Sequence, residues 1–145
     1  SFDLFAAALE RMPARLAAGL RAGKRSARFL LGRVLRSLAA KPTAGWALRR
    51  GMLLHGVATP LAYIEALRDY SLAGHAERIT CPTFVCNAEA DDISASAPKL
   101  AAALRCPHEF RTFTAAEGAG DHCEAGARTL FHARAFDWLD GVLGR

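Results

Sequence analysis

Residues 81–114, CPTFVCNAEADDISASAPKLAAALRCPHEFRTFT, decide the fold. Pro82-Thr-Phe-Val-Cys86 is short, apolar and partly β-branched, bounded by a proline and by Asn87, which is the pattern of a buried strand. Ser94 or Ser96 can cap a helix with Pro98 in its first turn, running through the alanines to Leu104. His108-Glu-Phe-Arg-Thr-Phe-Thr114 then alternates polar and apolar side chains, predicting a second strand. Strand, helix, strand is the order of a parallel α/β sheet with a right-handed crossover. Two parallel strands need cover on both faces and both edges, so the last part of a larger sheet is expected, with the rest upstream of Ser1. Downstream, Glu117-Gly-Ala-Gly-Asp-His122 reads as a loop. A helix is expected from around Glu124 to Leu143, with Leu130, Phe131, Ala135, Trp138, Leu139 and Val142 as its buried stripe.

No strand-like alternation precedes residue 80. Residues 2–11 suit a helix that Pro13 ends, and residues 14–22 suit another that Gly23 punctuates. From Lys24 to Ala40, Phe29, Leu30, Val34, Leu35 and Leu38 recur near helical spacing, with Arg25, Arg28, Arg33 and Arg36 between them. Pro42 is expected to close that helix. Another spans Trp46 to Leu54, and Thr59-Pro60 offers an N-cap and first-turn proline for a helix through Tyr70. The expected organisation is thus an all-helical region over residues 1–70 and an α/β region over residues 71–145.

The 145 residues are 52% hydrophobic and 23% charged, which suits one domain or a piece of one and excludes a disordered chain. No run of 18 apolar residues occurs, so no membrane span or membrane partner is expected. Cys81, Cys86, Cys106 and Cys123 match neither a disulfide framework nor a zinc pattern, and buried or half-buried free thiols in a reducing cytoplasm are expected. Charge is uneven. Residues 1–66 carry eleven Lys/Arg against Asp3, Glu10 and Glu65, a net of +8; the remainder nets −3, giving the overall +5. One alternative is therefore a basic helical module that binds nucleic acid or an acidic membrane through Arg25, Arg28, Arg33 and Arg36. Few aromatics interleave these cations, so stacking on bases has little to work with. A solvated face is preferred, and nucleic acid is not expected as a partner.

Ligands of open parallel sheets bind at the carboxyl ends of the strands. Asp91 and Asp92 follow the first strand, and His122 follows the second. A βαβ unit puts both loops on one edge of the sheet, so a carboxylate and an imidazole can meet there. The carboxylate would fix the ring tautomer and stabilise imidazolium, freeing the other nitrogen as a general base. Gly118 and Gly120 give the loop backbone conformations closed to other residues. The pair lacks a nucleophile. Cys123 is poorly placed for that role because sequence neighbours usually point apart, and Ser94 and Ser96 read better as caps. Asp91, Asp92 and His122 make a weak metal set, since adjacent acids diverge in direction. No metal and no organic cofactor are expected.

Ile79-Thr-Cys-Pro-Thr-Phe-Val-Cys-Asn-Ala-Glu-Ala-Asp91 resembles the acid-bearing segment of α/β-hydrolases, I-x-x-P-x-L-x-x-x-x-E-x-D. Glu117-Gly-Ala-Gly-Asp-His-Cys-Glu-Ala-Gly-Ala-Arg128, with Phe136-Asp-Trp-Leu-Asp140, resembles the histidine loop and last helix of one subgroup. That subgroup holds the dipeptidyl aminopeptidase/acylaminoacyl-peptidase-like hydrolases and relatives of the pseudooxynicotine C–C hydrolase. Trp46 through Gly56-Val-Ala-Thr-Pro-Leu-Ala-Tyr63 is similar to its cap, a helical insertion after the sixth strand, and Ser1-Phe-Asp-Leu-Phe5 to the segment just after that strand. The likeness spans almost the whole chain, strongest at residues 79–91 and 117–140 and weakest over 12–45.

The resemblance implies the C-terminal part of an α/β-hydrolase fold preceded by an all-helical cap. It makes His122 the catalytic histidine and Asp91 the acid, with Asp92 as the alternative. No G-x-S-x-G elbow occurs here, so the serine and oxyanion hole would lie upstream, and this polypeptide alone would be inactive. Ester, amide or activated C–C bonds are all open as substrates, in a small-molecule or peptide-like compound. Trp46, Met52, Leu53, Leu54, His55 and Tyr63 are candidate cap residues for binding it, with plain packing between helices as the competing role. The implied partner is the missing N-terminal half of the core, and a homodimer is compatible. A non-catalytic scaffold built on the same fold is the other alternative.

Overall fold

In the computed structural model, which describes residues 2–145, Asp3–Ser71 and Leu72–Arg145 form separate units, with Phe2 belonging to the second. The first unit is helical. Helix α1 (Leu4–Glu10) starts where the Asp3 carboxylate accepts the Ala6 amide at 2.7 Å. It is followed by α2 (Ala14–Arg21), α3 (Arg25–Ala39) and α4 (Pro42–Leu54). Helix α5 (Pro60–Ala66) begins at Thr59, whose hydroxyl accepts the Ala62 amide at 3.1 Å. Pro42 does not close a helix but opens α4, because a proline at the first position lacks only an amide that would be unpaired anyway. The helix expected through Tyr70 ends at Ala66 and tightens into a 3-10 turn over Leu67–Asp69.

Burial in this unit follows one stripe of α3. Ala27, Leu31 and Leu35, spaced by four, turn inward and pack with Phe5, Leu9, Leu20 and Leu48. Phe29, Leu30 and Val34, part of the apolar recurrence in the sequence, lie beside that stripe and are exposed. The four arginines of this helix are exposed as well. Arg28 pairs with Glu65 of α5 at 2.8 Å. Arg68 donates to the Leu20 carbonyl at 2.8 Å, with its guanidinium 3.8 Å from the Phe5 ring centre. The ends of the unit meet where the Leu4 amide donates to the Tyr70 carbonyl at 3.1 Å.

The second unit is the strand–helix–strand. Strand β1 (Thr83–Ala88) pairs in parallel with β2 (His108–Phe113), Thr83 opposite His108 and Ala88 opposite Phe113, with α6 (Ala97–Ala103) in the crossover. Among the described residues the sheet has two strands. Val85, Ala97, Ala101, Leu104 and Cys106 form a buried cluster between β1 and α6. Ser96 occupies the N-cap position of α6, yet its hydroxyl accepts the Phe2 amide at 2.8 Å rather than capping the helix.

Helix α7 (Arg128–Leu143) starts four residues later than expected, since Cys123 and Glu124 take left-handed backbone angles that no helix contains. Its stripe is only partly covered. Phe131 meets Phe113 and Trp138 meets Phe84, with ring centres 5.6 and 5.5 Å apart. Leu130, Phe131, Ala135 and Trp138 are half-buried, while Leu139 and Val142 are exposed, because a pair of strands is too narrow to cover the whole face. Two cysteines also depart from expectation. Cys81 and Cys123, in the segments before β1 and beside His122, are exposed free thiols; Cys86 is half-buried and Cys106 buried. Among the described residues, no helix is long and apolar enough to cross a membrane.

Candidate active site

The chain turns sharply at the carboxyl end of β1. The Asp91 amide donates to Ala88 O at 3.1 Å and the Ser94 amide to Asp91 O at 3.2 Å, which folds the Asp91 side chain back over the strand end. Asp91 is 8% exposed. A carboxylate survives there because its oxygens are satisfied: Oδ1 accepts the Ile93 amide at 2.9 Å, and Oδ2 lies 2.9 Å from Nδ1 of His122. Burial pushes the Asp91 carboxyl up. Hydrogen bonds from His122, the Ser94 hydroxyl and the Ile93 amide, with the His122 charge, outweigh burial and hold it below the usual value. An ionised carboxylate only accepts, so Nδ1–H of His122 donates and Nε2 of the neutral ring is left as the acceptor. Nε2 has no hydrogen-bond partner among the described residues, and the His122 side chain is 57% exposed.

His122 is presented by a loop fastened at several points. Glu117 gathers the amide and hydroxyl of Thr114, both at 3.0 Å, and pairs with Arg134 of α7 at 2.6 Å. The Thr114 amide, the Arg134 guanidinium and the Thr114 hydroxyl together hold the Glu117 carboxyl down to about 2. Gly118 has φ +73° and needs glycine for that reason. Gly120 needs it for a different one: a Cβ there would lie 2.8 Å from the Ala115 backbone nitrogen. The loops after the two strands are also tied together. Ala90 N donates to Gly120 O at 2.8 Å, and Ala115 N to Glu89 Oε2 at 2.7 Å.

The other candidates are arranged differently. Asp92 is exposed, and the His122 ring engages its neighbour instead. Ser94 donates its hydroxyl to Asp91 O at 3.3 Å, helping to shape the turn. Among the described residues no group of His, Cys, Asp and Glu could hold a metal ion. In the helical unit, Trp46, Leu53 and Leu54 are 61%, 81% and 67% exposed, and Met52 is half-buried. The His55 ring lies against Tyr63, tilted, and against Tyr70, edge-on, with ring centres 5.2 and 4.9 Å away, and Tyr63 packs its ring over Gly51. A cavity of about 1010 Å³ in this unit is lined instead by residues between Ala8 and Leu38, including Arg11, Met12, Arg15, Leu16, Leu30 and Val34. Sequence reasoning missed the bracing carboxyls. Thr114-x-x-Glu117 has the spacing of a capping box and was the available signal for one of them.

No family model matches the chain. It is similar to the protein named Hydrolase acrC of Aspergillus aculeatus, 26% identical over 147 residues that cover 96% of this chain and 34% of that protein. That relative is named a hydrolase. The chain spans about a third of the length of this curated relative. No solved structure matches.

Proposed function

We propose that residues 1–145 are the cap and C-terminal core of a serine-type α/β-hydrolase, with Asp91 and His122 as two members of its triad. The observation that carries this reading is the 2.9 Å contact between a buried, fully bonded carboxylate and Nδ1 of a half-exposed histidine. The pair lies past the carboxyl ends of two parallel strands, and a hydrolase is the relative the chain resembles in sequence.

In this mechanism Nε2 of His122 takes the proton of a serine hydroxyl contributed by the rest of the protein. The serine oxygen attacks the substrate carbonyl, and the leaving group receives the proton from the imidazolium. Water repeats the cycle, giving up its proton to Nε2 as it opens the acyl-enzyme. Asp91 keeps the ring in one tautomer and lowers the energy of its cation without itself taking the proton. Ester, amide and activated C–C bonds are all accessible to this chemistry, so the helical unit is proposed to select among substrates.

A serine-directed fluorophosphonate tests the reading in the full-length protein. A single label on a serine outside residues 1–145, formed far more slowly in His122→Ala, is expected. A label within residues 1–145, or labelling indifferent to that substitution, overturns it.

A further inference from the structure

Helix α3 carries two apolar stripes, and the core of the helical unit buries only one of them. Ala27, Leu31 and Leu35 are buried. Leu30, Val34 and Leu38, also spaced by four, line the cavity of this unit. Leu30 and Val34 are 52% and 41% exposed, and Leu38 is half-buried. Eight residues of rise make this stripe an aliphatic wall about 12 Å long. Met12 and Leu16, both half-buried, line the same cavity, whose surface is mostly apolar.

The charge that lines it has one sign. Arg11, Arg15 and Lys24 belong to the lining, and no Asp or Glu does. All three cations are exposed, and none pairs with an acid among the described residues. Lys24 lays its stem toward α2, its Cδ 4.0 Å from the point where Gly19 would carry a Cβ. Long basic side chains cover apolar surface with their methylenes and keep the charge at the water's edge. An aliphatic wall beside unpaired cations complements a molecule with an apolar body and one anionic end. The cavity is also large enough to enclose such a molecule. A second copy fits poorly, because a two-fold contact through this face would set the three cations against themselves.

We propose that this cavity binds a free long-chain aliphatic carboxylate, its chain along Leu30, Val34 and Leu38 and its carboxylate met by Arg11, Arg15 and Lys24. Guanidinium groups suit that end because their planar fork matches a carboxylate with two parallel hydrogen bonds. The inference stands apart from the hydrolase reading: the site lies within residues 8–38, and no bond is made or broken there.

The test is calorimetric titration of the full-length protein at low salt with octanoate, decanoate and dodecanoate, each below micelle formation. One ligand per chain is expected, with the dissociation constant falling about two- to fourfold for each added methylene. 1-Decanol and decyltrimethylammonium should bind about tenfold more weakly than decanoate, since neither has a carboxylate for the cations to hold. Leu30→Asp/Val34→Asp, at two positions outside the buried core, should weaken decanoate about tenfold or more. Replacing Arg11, Arg15 and Lys24 together by Gln should weaken decanoate about tenfold and leave 1-decanol within about twofold. Decanoate binding that ignores these substitutions lies elsewhere, the hydrolytic site included, and overturns the inference. Equal affinity for decanoate and 1-decanol overturns it, as does the absence of saturable binding. Two further results replace it: cosedimentation with phosphatidylglycerol vesicles without decanoate binding would mark a membrane face, and a dimer broken by Leu30→Asp without decanoate binding would mark a contact between copies. Each of these results leaves the hydrolase reading to be decided separately by the activity of His122→Ala.

Discussion

Asp91 and Asp92 are neighbours of identical chemistry, and only one of them is buried against the histidine. The turn after β1 decides which: its hydrogen bonds back to Ala88 aim the first acid inward and leave the second in solvent. Spacing after the strand identified the loop but could not separate two adjacent carboxyls, because that choice depends on the turn's backbone angles. Asp91→Asn in the full-length protein should reduce kcat by about 10³- to 10⁴-fold by stabilising the wrong ring tautomer, and Asp92→Asn should leave it within about twofold. Steady-state ester hydrolysis distinguishes them; the reverse order would reassign the acid. The pair also links folding to pH. The Asp91 carboxyl is held below its ordinary 3.8 in the fold, so its contribution is present above that value and is lost as pH falls through the folded one. Acid unfolding of Asp91→Asn should accordingly lack part of the parent's pH dependence below about 4.

At the scale of elements, the histidine loop is held by Glu117 more than by its own length. That carboxyl drops from 4.5 to about 2 on folding, so its stabilising contribution is complete above pH 4.5 and disappears as pH falls toward 2. Glu117→Gln should flatten the fall in melting temperature across that window, measured by circular dichroism. Gly126 adds a steric constraint, since a Cβ there would collide with the Gly118 carbonyl. Gly126→Ala should disturb the loop, and with it activity, more than an exposed Gly→Ala such as that at Gly141. At Thr59, the N-cap of α5, Thr→Ala should cost about 1 kcal/mol in urea unfolding. Element identities were legible because prolines, caps and the switch from helical to alternating apolar spacing mark them locally. Boundaries were not: Pro42 reads equally well as the end of one helix and the start of the next. Glycine was read correctly at Gly118 and for the wrong reason at Gly120, where the demand is a close approach from Ala115 and leaves no local trace in the sequence.

The whole molecule consists of two units with different stability problems. The helical unit buries one continuous apolar cluster, and truncating its most buried α3 residue, Leu31→Ala, should cost about 2–5 kcal/mol. The α/β unit has two strands and a last helix whose Phe136, Leu139, Val142 and Leu143 are exposed. Sheet edges and apolar faces of this kind favour association. Residues 1–145 produced alone should bind a hydrophobic dye and self-associate with rising concentration in sedimentation experiments; a monomer without dye binding would argue against further strands on this sheet. The βαβ order and the Asp–His neighbourhood were legible because both follow from local patterns and strand direction. The burial of Glu124 and the incomplete cover of α7 were not, since each depends on packing in three dimensions.

The most direct measurement is the steady-state hydrolysis of an activated ester by the full-length protein and its His122→Ala variant, both shown to be folded. A fall of about 10³-fold or more in kcat is predicted if Nε2 of this ring moves the protons of the reaction. Equal turnover in the two proteins would contradict it.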